Sequence, residues 1–329
     1  MKKSQIFTIV AFGMAAVVLT CVLAIGLAGN WGGPEASGPK THVNEVKYDP
    51  AEAELQEVDL FWVDGEVKVG LSSDGQIHVI ERSDRELKEE EKMEASVSGG
   101  KLKVSWDGQW FNKWIHLGWF QYGGKELEVQ LPAETVAELS ELKVSTTSGD
   151  VAVEKCPAAS VILSSTSGDL CLLDCSTAEE VSASTVSGDI VFNDVTTSGK
   201  VKTTTTSGTI SATNTSAAQL EVETTSGDCQ YEGGAGEGVK ANTVSGDLAL
   251  NLASCPGTGE MSSVSGELRM ELKEAQGFTV DYSAVSGEFF SDFQGELTGE
   301  RSGSLKYNGG TGARLRMSTT SGDMHLLRG

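Results

Sequence analysis

From about residue 140 onward, apolar and polar residues alternate, break at a Ser-Gly step, and resume. The step is followed by an acid at Ser148-Gly149-Asp150, Ser167-Gly168-Asp169, Ser187-Gly188-Asp189, Ser226-Gly227-Asp228 and Ser245-Gly246-Asp247. It continues at Ser265-Gly266-Glu267, Ser286-Gly287-Glu288 and Ser321-Gly322-Asp323, while Ser207-Gly208-Thr209 and Ser302-Gly303-Ser304 keep the turn without the acid. Successive serines from Ser148 to Ser286 are 19, 20, 20, 19, 19, 20 and 21 residues apart, and the next two spacings are 16 and 19. Aligned on the glycine, the position seven before it holds Leu142, Val161, Val181, Val201, Leu220, Val239, Val280 and Leu315. Two after it stand Val151, Leu170, Ile190, Ile210, Cys229, Leu248, Leu268, Phe289, Leu305 and Met324. Four after it, the series runs through Val153, Leu172, Phe192 and Leu250 to Tyr307 and Leu326. This period of two predicts strand, Ser-Gly turn, strand and loop in every copy.

No single copy can cover its own apolar face. Stacking the copies at about 4.8 Å closes their hydrogen-bond ladders and buries a continuous aliphatic column. The pattern therefore predicts an all-β solenoid of about ten coils of 19–21 residues over residues 132–329. The glycine is expected to supply a positive φ, and Thr146, Ser165, Thr185, Thr205, Thr224 and Thr243, three residues before it, a ladder of hydroxyls. Upstream, residues 45–131 read differently. EVDLFWVDGEVKVG and QIHVIE look like strands around Asp64-Gly65 and Asp74-Gly75 turns, with Lys101–Trp106 and Lys125–Leu131 continuing the pattern. We expect an antiparallel β-unit there that caps the first coil, because an open solenoid end exposes unpaired backbone.

The start of the chain sets the compartment. After Lys2 and Lys3, residues 5–29 carry no charge. At about 1.5 Å per residue such a stretch spans a bilayer with some tilt. Residues 1–29 are thus expected to be an uncleaved transmembrane signal anchor, placing the rest of the chain outside the cytoplasm. Cleaved secretion and a lipoprotein at Cys21 are the alternatives. Residues 30–44 read as a Gly/Pro linker.

Composition narrows the partners. A net charge of −22 excludes nucleic acid, since phosphate binding depends on Lys and Arg. No CxxC or Cys/His spacing points to a metal, and no cofactor or catalytic constellation is expected. Cys156 and Cys175 fall at the same place in adjacent coils, as a disulfide or as two packed thiols. The column Asp150, Asp169, Asp189, Asp228, Asp247, Glu267 and Glu288 is read as solvated turn residues, with cation binding or glycosidic chemistry as lesser readings. The segment WDGQWFNKWIHLGWFQY, residues 106–122, departs most from the repeat. Its Trp110, Phe111, Trp114 and Trp119 are the candidate ligand contacts, suited to stacking on sugars or entering lipid headgroups; buried, they would plug the stack instead.

LFWVDGEVKVG, KELEVQLP and the recurrent TTSGD and TVSGD turns together resemble a bacterial β-strand-repeat family known as "putative adhesin", which includes LiaG-like envelope proteins. The resemblance covers roughly residues 55–329 and implies a cell-surface β-solenoid with no catalytic residues to carry over. Function is expected to be that of a membrane-tethered binding or structural module, not an enzyme, with a cell-envelope component, glycan or membrane protein as partner. The alternative is an accessory sensor of envelope stress that touches a cationic peptide or a membrane protein. A polysaccharide-acting enzyme is the remote third.

Overall fold

The alternating segments are strands in the computed structural model, which describes residues 40–106, 125–299, 301–310 and 312–329. Ser160–Ser164 and Leu170–Thr177 show how one coil is built. Val161, Leu163, Leu170, Leu172 and Cys175 point inward and are buried. Between Leu173 and Cys175 the chain turns a corner on Asp174, at φ 53°. Lys155, Asp194 and Asn214 take the same left-handed conformation (φ 55°, 56° and 50°), which Asp and Asn tolerate best. Successive coils pair in parallel, Val161 facing Val181, then Val201, Leu220 and Val239, with the register shifting only around Thr215–Ala217. Leu170 likewise faces Ile190, then Ile210, Cys229, Leu248 and Leu268. Each such buried side chain stabilises the stack by about 1.5–3 kcal/mol, and none would be buried in a lone coil.

The repeat glycine is required by contact more than by conformation. A Cβ on Gly168 would lie 1.9 Å from the Gly149 carbonyl oxygen, and one on Gly188 would lie 2.0 Å from that of Gly168. The same clash recurs at every step of the column, yet φ is positive only at Gly65 and in the coils of Gly246, Gly266, Gly287 and Gly322. The expected positive φ therefore holds at one end of the repeat; the close stacking of turns explains all of it. The hydroxyl three residues earlier is a local cap. Thr146 Oγ1 donates to the Gly149 carbonyl (2.8 Å), and Ser165 Oγ accepts from the Gly168 amide (2.7 Å).

The order of coils in space is not their order in the chain. Glu57–Trp62 and Val67–Leu71 were expected in a separate cap; they form a coil inside the stack. They pair in parallel with Glu141–Thr146 and Val151–Glu154 on one side and with Lys101–Trp106 and Glu126–Leu131 on the other. The boundary drawn at residue 131 thus disappears, because one parallel ladder runs across it. Only the outer layer is antiparallel: Glu94–Ser98 covers Lys101–Trp106, Ile77–Ser83 covers Glu126–Leu131, and His42–Tyr48 covers Ile77–Ser83. That last strand starts within the stretch read as a linker.

The other end mirrors this arrangement. Ala313–Ser321 and Met324–Arg328 insert between the coil of Thr258–Ser265 and that of Phe278–Ser286. The Ser302-Gly303 copy is not a coil turn. A spacing of 16 residues is too short for the circuit, and Ser302–Tyr307 runs antiparallel along Phe278–Ser286, with Leu305 facing Val280. Aromatic rings close this end: Phe278 packs edge-on against Phe293 (5.0 Å) and Tyr282 stacks on Phe289 (4.0 Å). Counting glycines in contact order gives Gly65, Gly149, Gly168, Gly188, Gly208, Gly227, Gly246, Gly266, Gly322 and Gly287, with Lys125 in the glycine's place beyond Gly65.

Outward side chains form equally regular rows. On some of the first strands, charges interleave between neighbours: Lys101 bridges Glu57 and Asp59 (3.3 and 3.2 Å), and Lys240 bridges Glu221 and Glu223 (both 3.3 Å). On the second strand, one row passes in register through Ala152, Cys171, Val191, Ser211, Gln230, Ala249, Arg269, His325 and Phe290.

Candidate functional site

The outermost coil at the N-terminal end differs from all others at its turn. Lys101–Trp106 and Glu126–Leu131 are its two strands, and where the next coil has Asp64-Gly65 and the later ones Ser-Gly, residues 107–124 intervene here. Trp110, Phe111, Trp114 and Trp119 all fall in that segment and lie outside the described residues. What the structure places is the base from which the segment leaves and to which it returns.

That base is built around a buried cation. Lys125 and Glu81 expose 2% and 0% of their side chains and pair at 2.8 Å. The Lys125 ammonium also lies 4.2 Å from the centre of the Trp106 ring and donates to the Glu91 carbonyl. Burial pulls the Lys125 pKa down, and Glu81 opposes that shift. Glu81 is held on its other oxygen by the Asn44 side chain (3.0 Å) and the Met93 amide (3.1 Å). Trp62, fully buried, donates its indole N–H to the Lys125 carbonyl (3.2 Å) and packs 5.1 Å from Trp106. Trp106 and Lys125, the residues flanking segment 107–124, are therefore clamped together by cation–π contact, and a buried charge pair ties both to the cap.

Sequence reading passed over Lys125 and Glu81. The signal for Lys125 was present: KELEV aligns on GEVKV and GDVAV, so a lysine occupies the glycine column. Nothing in the sequence places Glu81 opposite it, since that pairing depends on an antiparallel register.

His78, in the same cap, is bonded through Nδ1 to Glu45 (2.7 Å) and through Nε2 to Asp74 (2.8 Å). The hydrogen bond to Glu45, then that to Asp74, raises its pKa above the ordinary histidine value. Glu91 is lowered to about 2, chiefly by Arg85.

The acidic column does structural work. Asp150 Oδ1 accepts from the Asp169 amide (2.9 Å), Asp169 from the Asp189 amide (2.8 Å), and Asp189 from the Thr209 amide (2.7 Å). Asp228, Asp247 and Asp323 serve Asp247, Glu267 and Glu288 in the same way (2.9, 2.8 and 2.9 Å). Each acceptor is an aspartate, the acid whose short stem reaches the next coil. Among the described residues no group of three acids, histidines or cysteines is placed to hold a metal ion.

Cys156 and Cys175 are adjacent free thiols, with Cys175 Sγ accepting from the Cys156 amide at 3.2 Å. Burial pushes them up to about 11 and about 12. They act as core side chains in their protonated form. Among the described residues no helix is long and apolar enough to cross a membrane; the stretch expected to do so, residues 1–29, lies outside them.

No curated protein matches this chain. Among solved structures, a protein described as a putative adhesin from Bacteroides fragilis is similar at 12% identity and a TM-score of 0.45, covering 88% of this chain and 98% of that one. A putative adhesin from Parabacteroides distasonis is similar at 11% identity and a TM-score of 0.42, over 86% and 97% of the two chains. A putative lipid binding protein from the same species is similar at 14% and 0.41, over 88% and 98%. The Toastrack DUF4097 family profile matches residues 56–327, most of the molecule. This match, over well more than half of the sequence, shows that the chain belongs to the Toastrack DUF4097 family.

Proposed function

We propose that this chain is a membrane-tethered recognition rod outside the cytoplasm, an adhesin-like binding and structural module that performs no catalysis. The observation that carries the reading is the outermost coil. Its turn is replaced by a tryptophan-rich segment whose two ends are fixed at Trp106 and Lys125. The first described strand, His42–Tyr48, also joins the stack at this end, and the apolar residues 5–29 come before it in the sequence. A rigid base joined at both ends to an aromatic sequence suits recognition of sugars or lipid headgroups. The polar network of the base is satisfied internally, which supports a positioning role rather than a chemical one.

The exposed acidic column favours a second reading, an accessory envelope-stress sensor that meets a cationic peptide. One experiment separates them: the full chain in lipid nanodiscs is tested against glycan, cell-wall, lipid and cationic-peptide arrays, beside a Trp110→Ser/Trp114→Ser variant. Selective binding lost in that variant supports recognition at the coil end. Cationic-peptide binding that survives the variant and fades with added salt supports the sensor.

A further inference from the structure

A second feature lies far from the tryptophan-rich end, on the lateral face formed by the second strands. The outward row of that face opens beside Ala152, where Lys68, Gln130 and Leu173 line a first groove. Between the coils of Ser211 and Arg269 it opens into a groove of about 290 Å³. The reason is sequence: Ala249 is short, and its register neighbours Gln230 and Arg269 rise on either side of it. The parallel row supplies Glu232, Asn251 and Glu271. Asn251 lines the groove with its amide oxygen shielded from solvent and without a hydrogen-bond partner. Further along the first row, His325 and Phe290 stack at 5.0 Å with planes 13° apart, and Phe290 remains 42% exposed. Three coil steps separate Ala249 from Phe290, about 14 Å at the usual strand spacing.

We propose that the strip from Gln230 to Phe290 binds a neutral glycan lying along the stack. The proposal deepens the recognition reading above and rests on it. Three physical arguments select this ligand. The strands of Gln230, Ala249, Arg269 and His325 are already paired on both sides, so a peptide cannot add as a strand along the groove, and recognition there falls to side chains. Amide, carboxylate and guanidinium groups each present two hydrogen-bonding atoms in one plane, a match for neighbouring sugar hydroxyls. An exposed aromatic face in line with them suits the C–H face of a pyranose. The groove's charges are already matched within the protein: Arg269 pairs with Glu271 (2.9 Å) and Glu232 with Lys273 (3.2 Å). A chain of net charge −22 also repels polyanions, so the sugar it takes is uncharged.

The test uses the full chain against immobilised neutral and polyanionic glycans, with affinities then measured in solution. Ala249→Tyr fills the groove floor from an outward position and Phe290→Ser removes the platform. Ser182→Tyr adds equal bulk on the first-strand face and is the control. Wild type and Ser182→Tyr are expected to bind a neutral glycan, and the two groove variants to bind it at least tenfold more weakly with melting temperatures unchanged. If Ala249→Tyr fails to fold, Phe290→Ser alone decides. Neutral-glycan binding untouched by both groove variants, or lost only in Trp110→Ser/Trp114→Ser, would overturn the groove while leaving the recognition reading standing. So would a preference for polyanions, or binding to lipid or cell wall with no glycan bound. Loss of every binding activity would overturn both.

Discussion

The side chain that the turn glycines lack defines how close two coils can come. A methyl on Gly188 would overlap the Gly168 carbonyl, and neither turn can retreat because each is stacked on the next. Gly188→Ala is therefore expected to destabilise the fold by about 3 kcal/mol through overpacking. Gly236→Ala, where a Cβ meets nothing within 4 Å, should be neutral or slightly stabilising. Urea denaturation midpoints of the two variants check this; equal midpoints would remove the contact argument. The aspartate two residues from Ser is explained at the same scale. Its carboxylate is an acceptor for the next coil's amide, which offsets the cost of stacking like charges about 4.8 Å apart.

At the scale of elements, antiparallel strands cover the outermost parallel coil at both ends. An uncovered parallel coil would leave a row of amides and carbonyls open to another chain. The N-terminal cover also carries the titratable contact most exposed to change near neutral pH. His78 sits in Ile77–Ser83 between Glu45 and Asp74, with Lys47 opposing its charge. Its folded pKa is raised, so the stabilisation is fully present below its unfolded value of about 6.5 and is lost as pH rises through the folded value. Glu45 and Asp74 are lowered, chiefly by the same histidine, so their share is present above their unfolded values and fades as acid is added through the folded ones. The melting temperature of the wild type is expected to fall more between pH 6 and about 8.5 than that of His78→Gln. Parallel curves for the two proteins would show that this contact does not hold the cap.

Within residues 40–329 the first and last coils in chain order are both held on both sides. Residues 313–328 are last in the chain and next to last in space. Removing residues 313–329 should therefore strip a coil from within the stack, exposing Leu268 and Met270 and unseating Phe278–Tyr307. Hydrogen exchange is the measurement: amides of Phe278–Ser286 should lose protection in the truncated protein. If those amides stay protected while only residues 258–272 change, the inserted coil is dispensable to the end of the rod. At this scale the sequence reading was sound about the repeat and mistaken about its order. It aligned Leu305 and Tyr307 with the coil positions because their alternation is the same, and period-two alternation carries no strand direction.

What the sequence determined by itself is everything local and periodic: strands from alternation, turns from Ser-Gly, a stacked aliphatic core from the recurrence at about twenty residues, and the excess of acid. These follow from near neighbours along the chain and from copies that are alike. Tertiary structure alone decided which coil lies beside which, and so it alone brought Lys125 to Glu81, Glu45 to His78, and Ala249 between Gln230 and Arg269. Those contacts join residues far apart in the chain through strand direction and coil order. Both are set by which packing covers the open ends of the stack, a property of the assembled molecule that no single repeat contains.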